Sequence, residues 1–296
     1  MQDRELKTYC DSVYERYHRS EYVSPDPLEL IQRYDSVADR EIAGFIAAAL
    51  ALGRVGGIIR AAGWVLDRLG SPRDALVNAT DDEIRVLSDP FVYRFFDGRR
   101  LAGLLIGIKH LLVEFGSLEA CFSAGLNGTV NGTAGEVEPA VAGLRHLVGA
   151  LIAAADGSLD QSILVARPER GSACKRLFLF LRWMVRNDAV DPGGWTVLKP
   201  SLLMVPVDTH MLTICRALGL TTAKQATLAV SREITEVFRR IAPNDPVRYD
   251  FSLTRLGIHP AGRTSDLRRE IRASSAEEHR RDTVRKSHGR PGLLID

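Results

Sequence analysis

Residues Gly171–Leu220 read GSACKRLFLFLRWMVRNDAVDPGGWTVLKPSLLMVPVDTHMLTICRALGL, and their periodicity decides the fold class. At about 3.6 residues per turn, Cys174, Leu177, Phe178, Leu181, Met184 and Val185 share one apolar stripe. Lys175, Leu179, Arg182 and Arg186 fall on the opposite side, so the spacing predicts a helix with one core face and one largely cationic face. A polar, glycine-containing loop follows from Asn187 to Gly194. Beyond it, Val205-Pro206-Val207-Asp208-Thr209-His210 leads into a second apolar periodicity that Gly219 stops, which places Asp208 to cap a second helix. A lysine therefore stands near the start of one helix and an aspartate at the start of the next.

Working outward, the chain reads as helices almost throughout, and the expected class is all-α with two helical subdomains. Ser24-Pro25-Asp26-Pro27 breaks the amphipathic opening and can start a new helix. From Asp39 a mostly apolar helix runs towards Gly53, and RVGGIIRAAGWVLDRLG follows as its amphipathic partner. Ser71-Pro72-Arg73-Asp74 and Thr80-Asp81-Asp82-Glu83 have the pattern of helix starts. Residues 98–115 form a longer apolar helix between Asp97 and Gly116. No sheet signal is visible. Ala124–Gly135, small and polar, is the clearest linker, and helical periodicity returns from Val137 to Ala155, from about 223 to 241 and from about 246 to 256. Residues 1–258 make one folded unit on this reading, and 259–296, rich in Arg, Glu and Ser, a solvated, disordered tail.

Composition sets bounds. The 296 residues are 45% apolar, enough for one sizeable core or two subdomains that share a helix. The charged start MQDRELKTYC and the lack of a spanning apolar stretch lead to the expectation of a soluble, cytoplasmic and monomeric protein. Cys10, Cys121, Cys174 and Cys215 are far apart, so neither disulfides, nor zinc, nor an iron-sulfur cluster is expected, and no cofactor is implied. A net charge of +2 does not announce nucleic acid by itself, so any nucleic-acid reading must rest on local basic stripes.

VPVDTHMLTICRALGL resembles the segment of the helix-hairpin-helix DNA glycosylase superfamily in which a Val-Asp-x-His run opens a helix. That resemblance implies that Asp208 is the catalytic carboxylate and that Lys175, upstream, is the lysine of the bifunctional members. The hairpin differs from the Leu-Pro-Gly-Val-Gly of endonuclease III types and reads Arg167-Pro168-Glu169-Arg170-Gly171-Ser172. The interval from Lys175 to Asp208 is also longer, and is similar to that of the archaeal 8-oxoguanine glycosylase branch. KRLFLFLRWMVRNDAVDPGGW together with VDTH resembles a related bacterial family of unknown function, domain of unknown function 2400. By this resemblance the partner is double-stranded DNA carrying a damaged base, an oxidised purine first, and the reaction is base excision with a lyase step near the nucleoid. Arg167, Arg170, Gly171 and Ser172 would meet a phosphate, with Arg182 and Arg186 on the same stripe as Lys175.

Each residue also has a plainer reading. Asp208 on its own is a helix cap, and Lys175, Arg182 and Arg186 are solvated helix residues. His210 lacks a metal-binding pattern and reads as a hydrogen-bonding neighbour of the site. Trp183, at the edge between the two faces, is a candidate for packing at a base pocket, although its default is core. Asp250 occupies a place in a late helix from which some relatives contact the extruded base. The rival classes are a non-catalytic DNA- or RNA-binding protein with the same fold and a helical interaction protein in which Lys175 and Asp208 form only an ion pair.

Overall fold

A computed structural model describes residues 2–127, 138–160 and 162–258. The elements are α1 (Asp3–Tyr17), α2 (Leu28–Ile31), α3 (Val37–Leu50), α4 (Val55–Leu69), α5 (Pro72–Asn78), α6 (Asp81–Ser88), the strands β1 (Val92–Tyr93) and β2 (Phe96–Asp97), α7 (Gly98–Phe115), α8 (Leu118–Asn127), α9 (Pro139–Ala154), α10 (Lys175–Val185), α11 (Thr209–Ala217), α12 (Leu228–Ile241) and α13 (Asp250–Ile258). The class is mostly helical, as expected. The two-residue antiparallel strands, pairing Val92 with Asp97 and Tyr93 with Phe96, are the exception the sequence did not show. Two residues are too short to display a strand's alternation of faces.

Local chemistry explains the helix boundaries. Thr80 accepts the Glu83 N–H while the Glu83 carboxylate accepts the Thr80 N–H, a reciprocal cap at the start of α6. The Asp97 carboxylate accepts the Arg100 N–H at the start of α7, and Gly116, in the left-handed region at φ 84°, ends that helix. Asp26 accepts the Leu28 N–H after the Pro25 break. The apolar run from Ile42 to Leu50 is buried all round, so α3 is the central helix. Its Glu41 is buried too. The carboxylate accepts the Leu118 and Glu119 N–H groups at the start of α8 and the Trp195 indole N–H, while burial pushes its pKa up.

Helices α3 to α9 pack on one another, with α7, α8 and α9 in close mutual contact. At Gly107 in α7 an added Cβ would meet the Leu151 carbonyl of α9 at 2.8 Å, so only glycine allows this approach. A second set forms where α1, from the beginning of the chain, packs on α12 and α13, and α11 packs on α13. α10 lies against α3, and one apolar core runs through both sets. The segment expected as a linker from Ala124 is helical as far as Asn127; the remainder of that linker, to Gly135, and the expected charged tail from 259 lie outside the described residues.

Candidate active site

Two pinned segments bring Lys175 and Asp208 together. Ahead of α10, one 3-10 turn (Pro168–Arg170) leads into Gly171 and Cys174, both with positive φ (72° and 47°), which swing the chain into the helix. Ser172 pairs with Thr227, and the Gly171 carbonyl accepts the Leu228 N–H, which holds this turn against the start of α12. Arg176 donates to the carbonyls of Ala49, Ile163 and Leu164, tying the first turn of α10 to the end of α3. Ahead of α11, Val205 donates its N–H to Thr235 and accepts the Ser231 hydroxyl, so α12 fixes the strand-like run that delivers Asp208. Val207, Met211 and Leu212 are buried around it.

Lys175 is the first residue of α10 and Asp208 is the N-cap of α11, so two helix N-termini converge. Lys175 Nζ lies 3.2 Å from Asp208 Oδ2, and the side chains are 33% and 29% exposed. Asp208 Oδ1 accepts the Met211 N–H at 2.9 Å. Burial alone would raise the Asp208 carboxyl, but the Lys175 charge and the Met211 N–H outweigh it and hold the group below the usual carboxylate range. The pair offers a carboxylate kept ionised and an amine in contact with it, both open to solvent on one side.

Beneath this pair runs a buried ladder of alternating charge. Asp250, the first residue of α13, accepts from Arg182, which also donates from Nε to Asp191 Oδ1 at 3.1 Å. Asp191 accepts from Arg186 as well, and Arg186 continues to Asp245 at 2.9 Å and Asp188 at 2.7 Å. His18 Nε2 lies 3.0 Å from Oδ2 of Asp188, the same oxygen that Arg186 contacts. Burial raises the Asp250 carboxyl; Arg182 opposes this, and the Asp208 charge adds to it.

This ladder corrects the expected cationic stripe. Arg182 and Arg186 are each 3% exposed and saturated by carboxylates, so neither reaches the surface to meet a phosphate. Helical spacing put them opposite the apolar stripe correctly, but acidic residues of the following loop and of the α12–α13 region cover that face. Trp183 is also corrected: it is 0% exposed, fully buried in the core. Asp250 is buried beside the site, and His210 is exposed in the first turn of α11, where its charge bears on Asp208. Arg170, Gly171 and Ser172 are exposed, whereas Arg167 donates to the Asp160 carbonyl at 2.8 Å and braces its own loop. Sequence reading missed Asp188, Asp191, Asp245, His18 and Arg176. The only signal for them was the two aspartates in the NDAVDPGGW loop, because their partners lie in distant parts of the chain.

Among the described residues no group of three or more His, Cys, Asp or Glu side chains could hold a metal ion, and no single helix is long and apolar enough to cross a membrane. The four cysteines are free and buried. The arrangement defines a mostly helical protein with a lysine-aspartate pair at two helix N-termini. The chain belongs to the family described as "Protein of unknown function (DUF2400)", which matches residues 26–259. No curated protein and no solved structure matches it.

Proposed function

We propose that the protein is a DNA glycosylase with lyase activity that excises a damaged base, an oxidised purine such as 8-oxoguanine first. The single observation that carries this reading is the 3.2 Å contact between Lys175 Nζ and Asp208 Oδ2 at a partly open surface. A base inside a duplex is out of reach of side chains and has to be extruded, at a cost of a few kcal/mol. Asp208 takes the proton from Lys175 as the amine attacks C1′, and the base leaves with the electron pair of the N-glycosidic bond. While it is still ionised, before that proton transfer is complete, the carboxylate offsets the positive charge that builds on the sugar. As the sugar ring opens, the departing O4′ takes a proton from the amine nitrogen and leaves a protonated imine on Lys175; loss of a C2′ proton then expels the 3′ phosphate with the electron pair of the C3′–O bond.

The rival reading, an ion pair with a purely structural task, is weaker on energetic grounds. A pair this exposed contributes at most about 1 kcal/mol, a small return for two side chains whose backbones are pinned by α3, α12 and the chain at 163–164. Resemblance in VPVDTHMLTICRALGL supports the glycosylase superfamily, while the lesion preference rests on the Lys175 to Asp208 interval. The test uses duplexes with single lesions, scored separately for base release and strand scission, with borohydride added during turnover. Trapping of a covalent protein-DNA adduct that Lys175→Gln abolishes is the expected result. A folded protein that binds lesion duplex but releases no base is a non-catalytic binder, and the proposal fails.

A further inference from the structure

The burial of Arg182 and Arg186 leaves the question of which cations would face a polyanion, and the other side of the α10 start supplies three. Arg176, the neighbour of Lys175, donates to the Ala49 carbonyl at the end of α3. Three residues on, the Leu52 carbonyl accepts the Tyr93 hydroxyl at 2.7 Å, which seats the β1–β2 hairpin on the α3–α4 turn. Gly53, at φ 115°, lies against the Arg94 guanidinium, where an added Cβ would come within 2.8 Å. Arg54, Arg60 and Arg94 are exposed around this turn, and none of them forms an ion pair with a carboxylate among the described residues.

Two further features distinguish this face from an ordinary solvated one. Val92 and Phe95 on the hairpin are 81% and 64% exposed, and Arg94 lies 5.6 Å from the Phe95 ring centroid. Beside them a cavity of about 250 Å³ opens between α4 and the hairpin, lined by Arg60, Trp64, Phe91 and Tyr93 among others. That volume is below the range of about 300–1,000 Å³ typical of small-molecule sites, and it suits one planar ring rather than a whole cofactor. Aromatic walls with an unneutralised guanidinium at the rim match an unstacked base and its phosphate.

We infer that the α3–α4 turn, the first turns of α4 and the β1–β2 hairpin form a second nucleic-acid contact, in which Arg54, Arg60 and Arg94 take phosphates and the aromatic cavity takes an unpaired base. This rests on the nucleic-acid reading above but not on its chemistry. The probe is a duplex with a single bulged nucleotide, compared with the fully paired duplex. Each phosphate contact contributes about 0.9 to the slope of log K against log salt, so the triple variant Arg54→Gln, Arg60→Gln, Arg94→Gln loses on the order of 2 to 3 from that slope. Trp183 and Trp195 are 0% and 4% exposed, so acrylamide quenching reports Trp64, and the bulged duplex protects it more than the paired one. Melting curves establish that the triple variant is folded. A folded triple variant with the parent's salt slope, or Trp64 equally quenched with and without bulged duplex, overturns the inference. Absence of any salt-dependent binding by the parent overturns it together with the nucleic-acid reading, whereas a failed borohydride trap with an intact salt slope removes only the glycosylase.

Discussion

Replacing Arg182 by methionine separates the surface reading of this residue from the buried one. As a solvent-facing cation, Arg182 would be dispensable for folding. In the structure its guanidinium bonds Asp191 and Asp250, whose side chains are 0% and 4% exposed. Asp191 keeps Arg186, but Asp250 loses its hydrogen-bonded cation. Removing one partner of a buried pair costs about 3–5 kcal/mol, because the remaining charge is left without compensation. At roughly 2–4 °C per kcal/mol for a chain of this size, the melting temperature at pH 7 falls by about 6–20 °C. The pH dependence has a definite sign. Burial pushes the Asp250 carboxyl above its unfolded value, and in Arg182→Met no guanidinium opposes that. A raised folded pKa means that the folded chain binds the proton more readily, so the deficit is largest well above that pKa and shrinks as pH falls towards the unfolded value of about 3.9. Differential scanning calorimetry at several pH values reads both effects. A melting temperature within about 2 °C of the parent's at pH 7 would refute the buried ladder and restore the exposed stripe.

Three other outcomes are expected. Asp208→Asn keeps an oxygen for the Met211 N–H, so melting changes by about 1 kcal/mol or less, while single-turnover base release slows by about 100-fold or more. Because Asp208 is held below the usual carboxylate range, the small stability of its pair with Lys175 is present above pH about 3.9 and is lost only as pH falls through the lowered value; the parent's base release between pH 5 and 8 accordingly shows no acid limb from this group. Gly107→Ala drives a Cβ to 2.8 Å from the Leu151 carbonyl and separates α7 from α9 at a cost of about 1–3 kcal/mol, less the roughly 1 kcal/mol that alanine gains in a helix, measured by urea unfolding.

What the sequence made legible was short-range. Thr80 with Glu83, Asp97 with Gly116, and Asp208 three residues ahead of Met211 are contacts written within a single turn, and each falls where spacing places it. The start of α10 at Lys175 was equally readable from its apolar stripe. What failed was the meaning of a polar face. A helical wheel shows that Arg182 and Arg186 point away from the apolar stripe, but the same pattern arises whether solvent or a layer of carboxylates lies there. The deciding partners, Asp245 and Asp250, are about sixty residues further along the chain, and only tertiary packing brings them to α10. The β1–β2 hairpin was missed for the opposite reason: its pairs are local, yet two residues per strand carry no period.

The inward turn of the arginines also sets how the Lys175–Asp208 pair can be taken apart. Arg182 is occupied by Asp191 and Asp250, so it has no donor committed to Asp208, and the hydrogen bonds that Asp208 accepts come from Lys175 and the Met211 N–H. Removing Lys175 therefore does more than delete a nucleophile. It strips the largest of the influences that lower the Asp208 carboxyl, leaving the Met211 N–H and His210, while burial continues to act in the opposite direction. The carboxylate then shifts upward, and loss of base release in a Lys175 variant mixes a missing amine with an altered carboxylate. Trapping with borohydride is free of this mixing, because it reports the imine on the lysine and not the rate at which the carboxylate helps to form it. The division of labour between the two residues is consequently best read from trapping for Lys175 and from base release for Asp208.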